Sequence, residues 1–457
     1  MTVGRHVTRQ PAAARVPRGP RGNPVLGNLL QVQRDRLGLM VTATREYGDA
    51  VRLRMGPKTL YLFNHPDHAK HLLSENHANY RKGLGLVHAR RALGDGLLTS
   101  DGERWRQQRQ AVQPVFQRER IATAAEVIVE ETDRMLARWR ARPGQTVDLV
   151  PELTRLTLGV LGRSLLRVDL GSSKRIGSAF EAVQDQAMFE MVSLSTVPHW
   201  LPLPGQLRFR KARRELDGLV DRLLAEHARH SGPEDEDLLS RLVRFTAAEP
   251  DPRIRRRQLR DELVTLLLAG HETTASTLGW TWYLVERTPA VFQRLRAEAR
   301  EVLGDRLPTY QDFAKLSYTG RVIEEAIRLY PPVWMLTRRA AGDDEVAGYH
   351  LPAGSDVLIC PYTLHRHPEF WERPDTFDPD RFRPDRAGDR PRYAYIPFGA
   401  GPRFCIGSNL GVMEAVLVVA MIAREFDLRR PTRGPVTPEP MLSLRLRGGL
   451  PMSITAT

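Results

Sequence analysis

The residues of this 457-residue chain best suited to chemistry are one thiol and one acid–alcohol pair. Cys405 sits in Phe398-Gly399-Ala400-Gly401-Pro402-Arg403-Phe404-Cys405-Ile406-Gly407, a glycine-rich loop followed by an apolar helical pattern from Ile406 to about Phe426. Glycines let backbone N–H groups approach a sulfur closely, and the positive end of the following helix favours thiolate over thiol. A lone thiolate cannot close a zinc site or hold an iron–sulfur cluster, which need several protein ligands. It can serve as the single axial ligand of a haem; taken alone, such a cysteine is equally a small buried apolar side chain.

The second feature lies in a long helical pattern from Gln258 to Arg287, where Leu263, Leu266, Leu267 and Leu268 give way to Ala269-Gly270-His271-Glu272-Thr273-Thr274. Glycine inside a helix costs about 1 kcal/mol relative to alanine. Threonine hydroxyls compete for backbone carbonyls. A sequence that keeps such a local defect often does so for chemistry; a polar stretch on a surface helix is the plain alternative.

The frame Phe398-x-x-Gly401-x-Arg403-x-Cys405-x-Gly407 resembles the haem-binding signature of the cytochrome P-450 family, the haem-thiolate monooxygenases, and Ala269 to Thr274 resembles that family's oxygen-side helix motif. The resemblance, spanning roughly Pro17 to Thr457, implies haem b held by Cys405, dioxygen as co-substrate, and electrons from NAD(P)H through separate redox proteins. It assigns Thr273 to hydrogen-bonding dioxygen and ordering water, and Glu272 to relaying protons inward. Trp105 and Arg109 of Trp-x-x-x-Arg, with Arg403 and Arg338, match positions that bind haem propionates, Arg339 being the neighbouring alternative to Arg338. Glu325 and Arg328 of Glu-x-x-Arg, with Arg381, match a structural charge network. Phe398 and Gly407 belong to the cofactor frame. By position, Val333, Trp334, Met335 and Leu336 after Tyr330-Pro331-Pro332, Met188 and Phe189 of a lid helix, Ala269, and Leu442 are expected around a substrate pocket roofed by a loop from Lys82 to Asp95.

The fold expected is mainly α with a small β region, in a single large domain over 17–457 behind a flexible segment 1–16; length alone would also allow three domains. Short strands are expected over 50–54, 59–63, 346–351 and 356–360, with Leu442 to Thr457 as a hairpin around Gly448-Gly449. Cys360 reads as a core side chain, and two cysteines make no secretory framework. The polar start shows no membrane anchor, so a soluble, cytoplasmic monomer is expected.

The formal net charge of +14 permits nucleic-acid binding, but the arginines are scattered and no nucleic-acid motif accompanies them. An acidic ferredoxin with its reductase is the expected partner. The segment from Val333 to Ala340 resembles actinobacterial secondary-metabolism members of the family, including terpene oxidases. The expected reaction is hydroxylation or epoxidation of a bulky apolar or aromatic molecule, terpenoid-like or derived from indole or peptide. Oxidative C–N or C–C ring closure is the alternative on the same haem chemistry. A non-catalytic haem sensor is the alternative of another class, and the Glu272-Thr273 pair weighs against it.

Overall fold

The long helix Pro252–Glu286 is the axle of the fold in a computed structural model, which describes residues 15–171, 174–192, 198, 200–230, 232, 235–432 and 434–456. Residues 1–14 of the expected flexible segment, His199 and Thr457 lie outside the described residues, and Arg15 forms an isolated bridge with Tyr349. Asp251 caps the axle by accepting from Arg253 N, and Pro252 occupies its first turn. Both suit a helix start, where backbone N–H groups lack partners. The arginine-rich opening is largely exposed; from Leu259 onward nearly every residue is buried. The helix runs unbroken through Ala269–Thr274, where Thr273 Oγ1 donates to Ala269 O at 2.8 Å and Thr274 Oγ1 to Gly270 O at 3.2 Å.

The second half of the axle packs against helices Arg118–Arg140, Pro289–Leu303, Ser317–Leu329 and Ser408–Glu425 around the largest core cluster. Ser408–Glu425 is apolar on almost all sides, as a helix surrounded by protein must be. The first half packs with helices Leu84–Leu93, Leu149–Leu166, Lys174–Val192 and Pro204–His230 around another cluster. Among the described residues no helix is long and apolar enough to cross a membrane.

A five-stranded sheet runs in the order Ala50–Met55, Lys58–Phe63, Asp356–Ile359, Leu336–Ala340, Tyr80–Lys82. Only the pairing of Lys58–Phe63 with Asp356–Ile359 is parallel. Gly56, at φ 59°, makes the tight turn of the first hairpin. Cys360 is buried at the end of its strand, its thiol donating to Trp334 O at 3.2 Å.

Three local expectations are corrected. The strand expected from Val346 to Leu351 is a hairpin of Asp344–Val346 with Tyr349–Leu351, turning at Ala347 and Gly348, both with positive φ. The two sides of Gly448-Gly449 do not pair: Leu444–Leu446 joins Pro438–Pro440, while Pro451–Ala456 joins Thr146–Asp148 and Phe426–Arg429. The roof loop is largely the helix Leu84–Leu93, whose Gly85 packs against the Met191 side chain.

Candidate active site

The cysteine loop is shaped by glycines in the left-handed region at its start. Gly399 has φ 72° and Gly401 φ 67°, and a Cβ on Gly401 would collide with Leu73 O. Cys405 N then donates to Phe398 O at 3.0 Å, closing the loop beneath the sulfur. The Cys405 side chain is open to solvent along one side yet closely walled by protein on the others. Desolvation therefore pushes its thiol up, against backbone N–H groups of Gly407 and Ser408 and the nearby Arg109, which pull it down. The helix end acts in the expected direction, but in the protein alone desolvation outweighs it. Arg109 donates to Phe404 O at 2.8 Å.

Beside the loop, Lys82, Arg338 and Arg403 gather around the single carboxylate of Asp101. Arg403 pairs with Asp101 and donates to Ser100 O at 3.1 Å, and its guanidinium lies 4.3 Å over the Trp105 ring. Arg338 is buried and, among the described residues, donates to Thr337 O alone, at 2.8 Å, while Arg339 is taken up by Asp356 at 2.6 Å. Among the described residues no carboxylate lies within ion-pair distance of Lys82 or Arg338. Burial pushes Arg338 down to about 10 and Lys82 well below its ordinary value, with neighbouring arginines adding to both shifts. Two buried cations and the part-buried Arg403 around one carboxylate need further anions, which the pair of propionates on a haem would supply. The donor set thus fits that cofactor: one thiolate ligand and a cation cluster beside it. Lys82 was missed in the sequence because a lone lysine in an arginine-rich chain carries no signal there.

The oxygen-side residues approach from the axle. Ala269 is exposed although its neighbours Leu268 and His271 are buried, so the axle borders an interior space at this turn. Gly411, near the start of the cysteine-side helix, faces Thr274, whose Oγ1 would lie 3.5 Å from a Cβ there. That close crossing sets the turn carrying Thr274 against the start of the helix Ser408–Glu425, which follows Cys405. Glu272 is held by Ser443 Oγ and Arg445 Nε, both donating to Oε1 at 2.6 Å. Arg445 also reaches Asp185 at 3.8 Å, and Asp185 pairs with the half-exposed Arg208 at 2.6 Å. Ser276 and Trp280 of the axle both donate to Leu444 O, at 2.6 and 2.9 Å, fixing the strand Leu444–Leu446, which carries Arg445 and follows directly on Ser443. Nothing near Glu272 in the chain announces these partners.

Glu325 and Arg328, three residues apart on one helix face, form a fully buried bidentate pair at 2.7 Å. Arg381 donates to Glu325 Oε1 at 3.0 Å, and Asp378 N adds a fourth bond. Arg328 also donates to the carbonyls of His365, Pro374 and Thr376.

The expected pocket residues divide. Met188, Trp334 and Met335 line a largely apolar cavity of about 130 Å³ with Met40, Met55 and Met191. Trp334 is 3% exposed, donates to Met441 O at 2.8 Å and packs in the core cluster beside the sheet. Val333, Leu336, Ala269 and Leu442 lie outside this cavity's lining, and Phe189, next to Met188 on a helix, is 40% exposed.

The family model described as Cytochrome P450 matches residues 17–450. The chain is 38% identical over 427 residues to Cyclooctatin synthase of Streptomyces melanosporofaciens, covering 93% of this chain and 92% of that protein. It is 35% identical over 435 residues to Cyclooctat-9-en-7-ol 5-monooxygenase of the same organism, covering 95% and 94%. Pentalenene oxygenase of Streptomyces avermitilis is 34% identical over 409 residues, covering 89% and 90%. The chain belongs to the cytochrome P450 family. It is a haem-dependent monooxygenase that uses dioxygen and takes electrons from redox partners.

Proposed function

We propose that this monooxygenase hydroxylates or epoxidises a bulky apolar terpenoid. The observation carrying the reading is the likeness, over nearly the whole chain, to proteins named for oxygenating cyclooctat-9-en-7-ol and pentalenene. The methionine-rich cavity supports it, because flexible thioether side chains mould to irregular hydrocarbons. Cys405 is the proposed axial ligand, and Lys82, Arg338 and Arg403 the proposed propionate partners. Haem, when bound there, supplies the oxidising chemistry.

The chain's part is to position, exclude water and move protons. Thr273 presents its hydroxyl to the interior space beside Ala269. Glu272 stands at the inner end of a polar series, Arg445, Asp185 and Arg208, that ends at the surface. Glu325, Arg328 and Arg381 hold the segment leading into the cysteine loop. An acidic ferredoxin is the proposed electron donor: Phe116 approaches Gly407, and Arg118 and Arg120 follow it at the exposed surface, with Glu119 between them.

Optical titration of the purified ferric protein tests the substrate class. Polycyclic terpene hydrocarbons and alcohols are expected to give a saturable low-to-high-spin shift, with no shift from indoles or macrocyclic peptides. A shift produced by indoles or peptides alone would overturn the terpenoid reading.

A further inference from the structure

The first turns of the axle carry a buried polar cluster that the reaction does not use. Glu262 is 0% exposed, Arg260 4% and Asp261 5%. They face the loop 94–101 that crosses over them. Glu262 Oε2 accepts from Leu97 N at 3.1 Å, and Asp261 Oδ2 accepts from Asp95 N at 2.9 Å. Gln108 donates to Asp95 O at 2.9 Å and accepts from Ser100 Oγ. The loop's far end is the part that touches the cofactor cluster. Ser100 O and the Asp101 carboxylate hold Arg403, and Asp101 also accepts from Lys82 N at 2.8 Å. The fit is close, since a Cβ on Gly94 or Gly96 would strike Asp261 or Thr265.

We propose that Glu262, assisted by Asp261, is a positioning residue that clamps the loop 94–101 onto the axle and so sets Arg403 and the cation cluster beside Cys405. The electrostatics give the clamp a sign. Asp95 pairs with Arg90 and Arg104, and Arg260 bridges Asp261 and Asp217 at 2.9 and 3.2 Å. The three arginines are taken up by the three aspartates, and among the described residues no cation lies within ion-pair distance of Glu262. Its Oε1 and the Thr265 hydroxyl one turn on are buried without a hydrogen-bond partner among the described residues. Burial accordingly pushes the Glu262 carboxyl up to about 8, with Asp261 and Asp95 adding to the shift and Arg104 and the Leu97 N–H opposing it.

Neutral Glu262 therefore holds the loop at pH 7. Opening exposes the carboxyl to water and releases its proton. The open population thus rises about tenfold per pH unit between the ordinary carboxyl value and about 8, then levels off. Glu262→Gln keeps an acceptor for Leu97 N and removes the titration.

Amide hydrogen exchange at Leu97 in the haem-loaded protein, between pH 6 and 9, tests the proposal without any substrate. In the wild type the opening equilibrium constant, obtained by dividing the exchange rate by the intrinsic base-catalysed rate, is expected to climb about tenfold per unit and flatten near pH 8. Glu262→Gln is expected to keep protection and lose that slope. Glu262→Ala is expected to exchange fast throughout and to release haem faster to an acceptor protein. Identical pH profiles in wild type and Glu262→Gln would overturn the proposal. So would an alanine variant with wild-type protection and haem retention. If the alanine variant does not fold, the glutamine comparison decides alone.

Discussion

Glu325→Ala is expected to cost about 3–5 kcal/mol of folding stability, because it strands the charges of two arginines in the interior. Arg328 is fully buried and Arg381 6% exposed, and Glu325 is the carboxylate that both engage. The loss is a large share of the roughly 5–15 kcal/mol that separates folded from unfolded domains. Its local effect falls on the carbonyls of His365, Pro374 and Thr376, which Arg328 ties together ahead of the cysteine loop. Purified Glu325→Ala should show a sharply lowered unfolding temperature and substoichiometric haem. Unfolding at the wild-type temperature with full haem would show that the network is dispensable.

Thr273→Ala is expected to leave folding and substrate binding intact while diverting electrons into hydrogen peroxide. The hydroxyl bonds within its own helix, to Ala269 O, so its loss disturbs no other element. Positioned proton transfer is worth about 10²–10⁴-fold in rate, and a water-ordering hydroxyl lost from the site forfeits part of that. The measurement is product and peroxide formed per NAD(P)H consumed. A variant with wild-type coupling would remove Thr273 from proton delivery. Glu272 is less cleanly tested by substitution, since its removal also takes away the acceptor of Ser443 Oγ and of Arg445 Nε.

These two predictions rest on residues that were legible in the sequence for different reasons. Glu325 and Arg328 share a helix face by spacing alone, and Pro331-Pro332 marks where that helix must stop; Tyr330, its final cap, stacks on Trp280 at 3.8 Å. The Cys405 frame was legible because its glycines are forced: Gly401 has left-handed backbone geometry and no room for a side chain. The axle was legible from its apolar pattern, although Pro252–Glu286 begins earlier than Gln258, where arginines hide the periodicity.

What stayed hidden was set by tertiary contact. Glu272's partners, Arg445 and Ser443, come from a distant strand and the residue just before it, and the register of that strand is fixed by Leu444 O accepting from Ser276 and Trp280. Gly448-Gly449 looks like a hairpin turn, yet its flanking strands leave for different sheets. The segment from Lys82 to Asp95 was expected by position to be a roofing loop, but packing against Lys174–Val192 holds the helix Leu84–Leu93 there. Ala347 is an uncommon residue at positive φ, so the hairpin it helps to turn read as one strand. The cation cluster of Lys82, Arg338 and Arg403 draws its members from two paired strands and the cysteine loop.

The spectrum of the reduced carbon-monoxide complex, recorded for wild type and Cys405→Ala, tests the central claim most directly. A thiolate-type Soret band in the wild type, abolished by the substitution, is the predicted result. The same band in both proteins would show that the sulfur of Cys405 does not hold the iron.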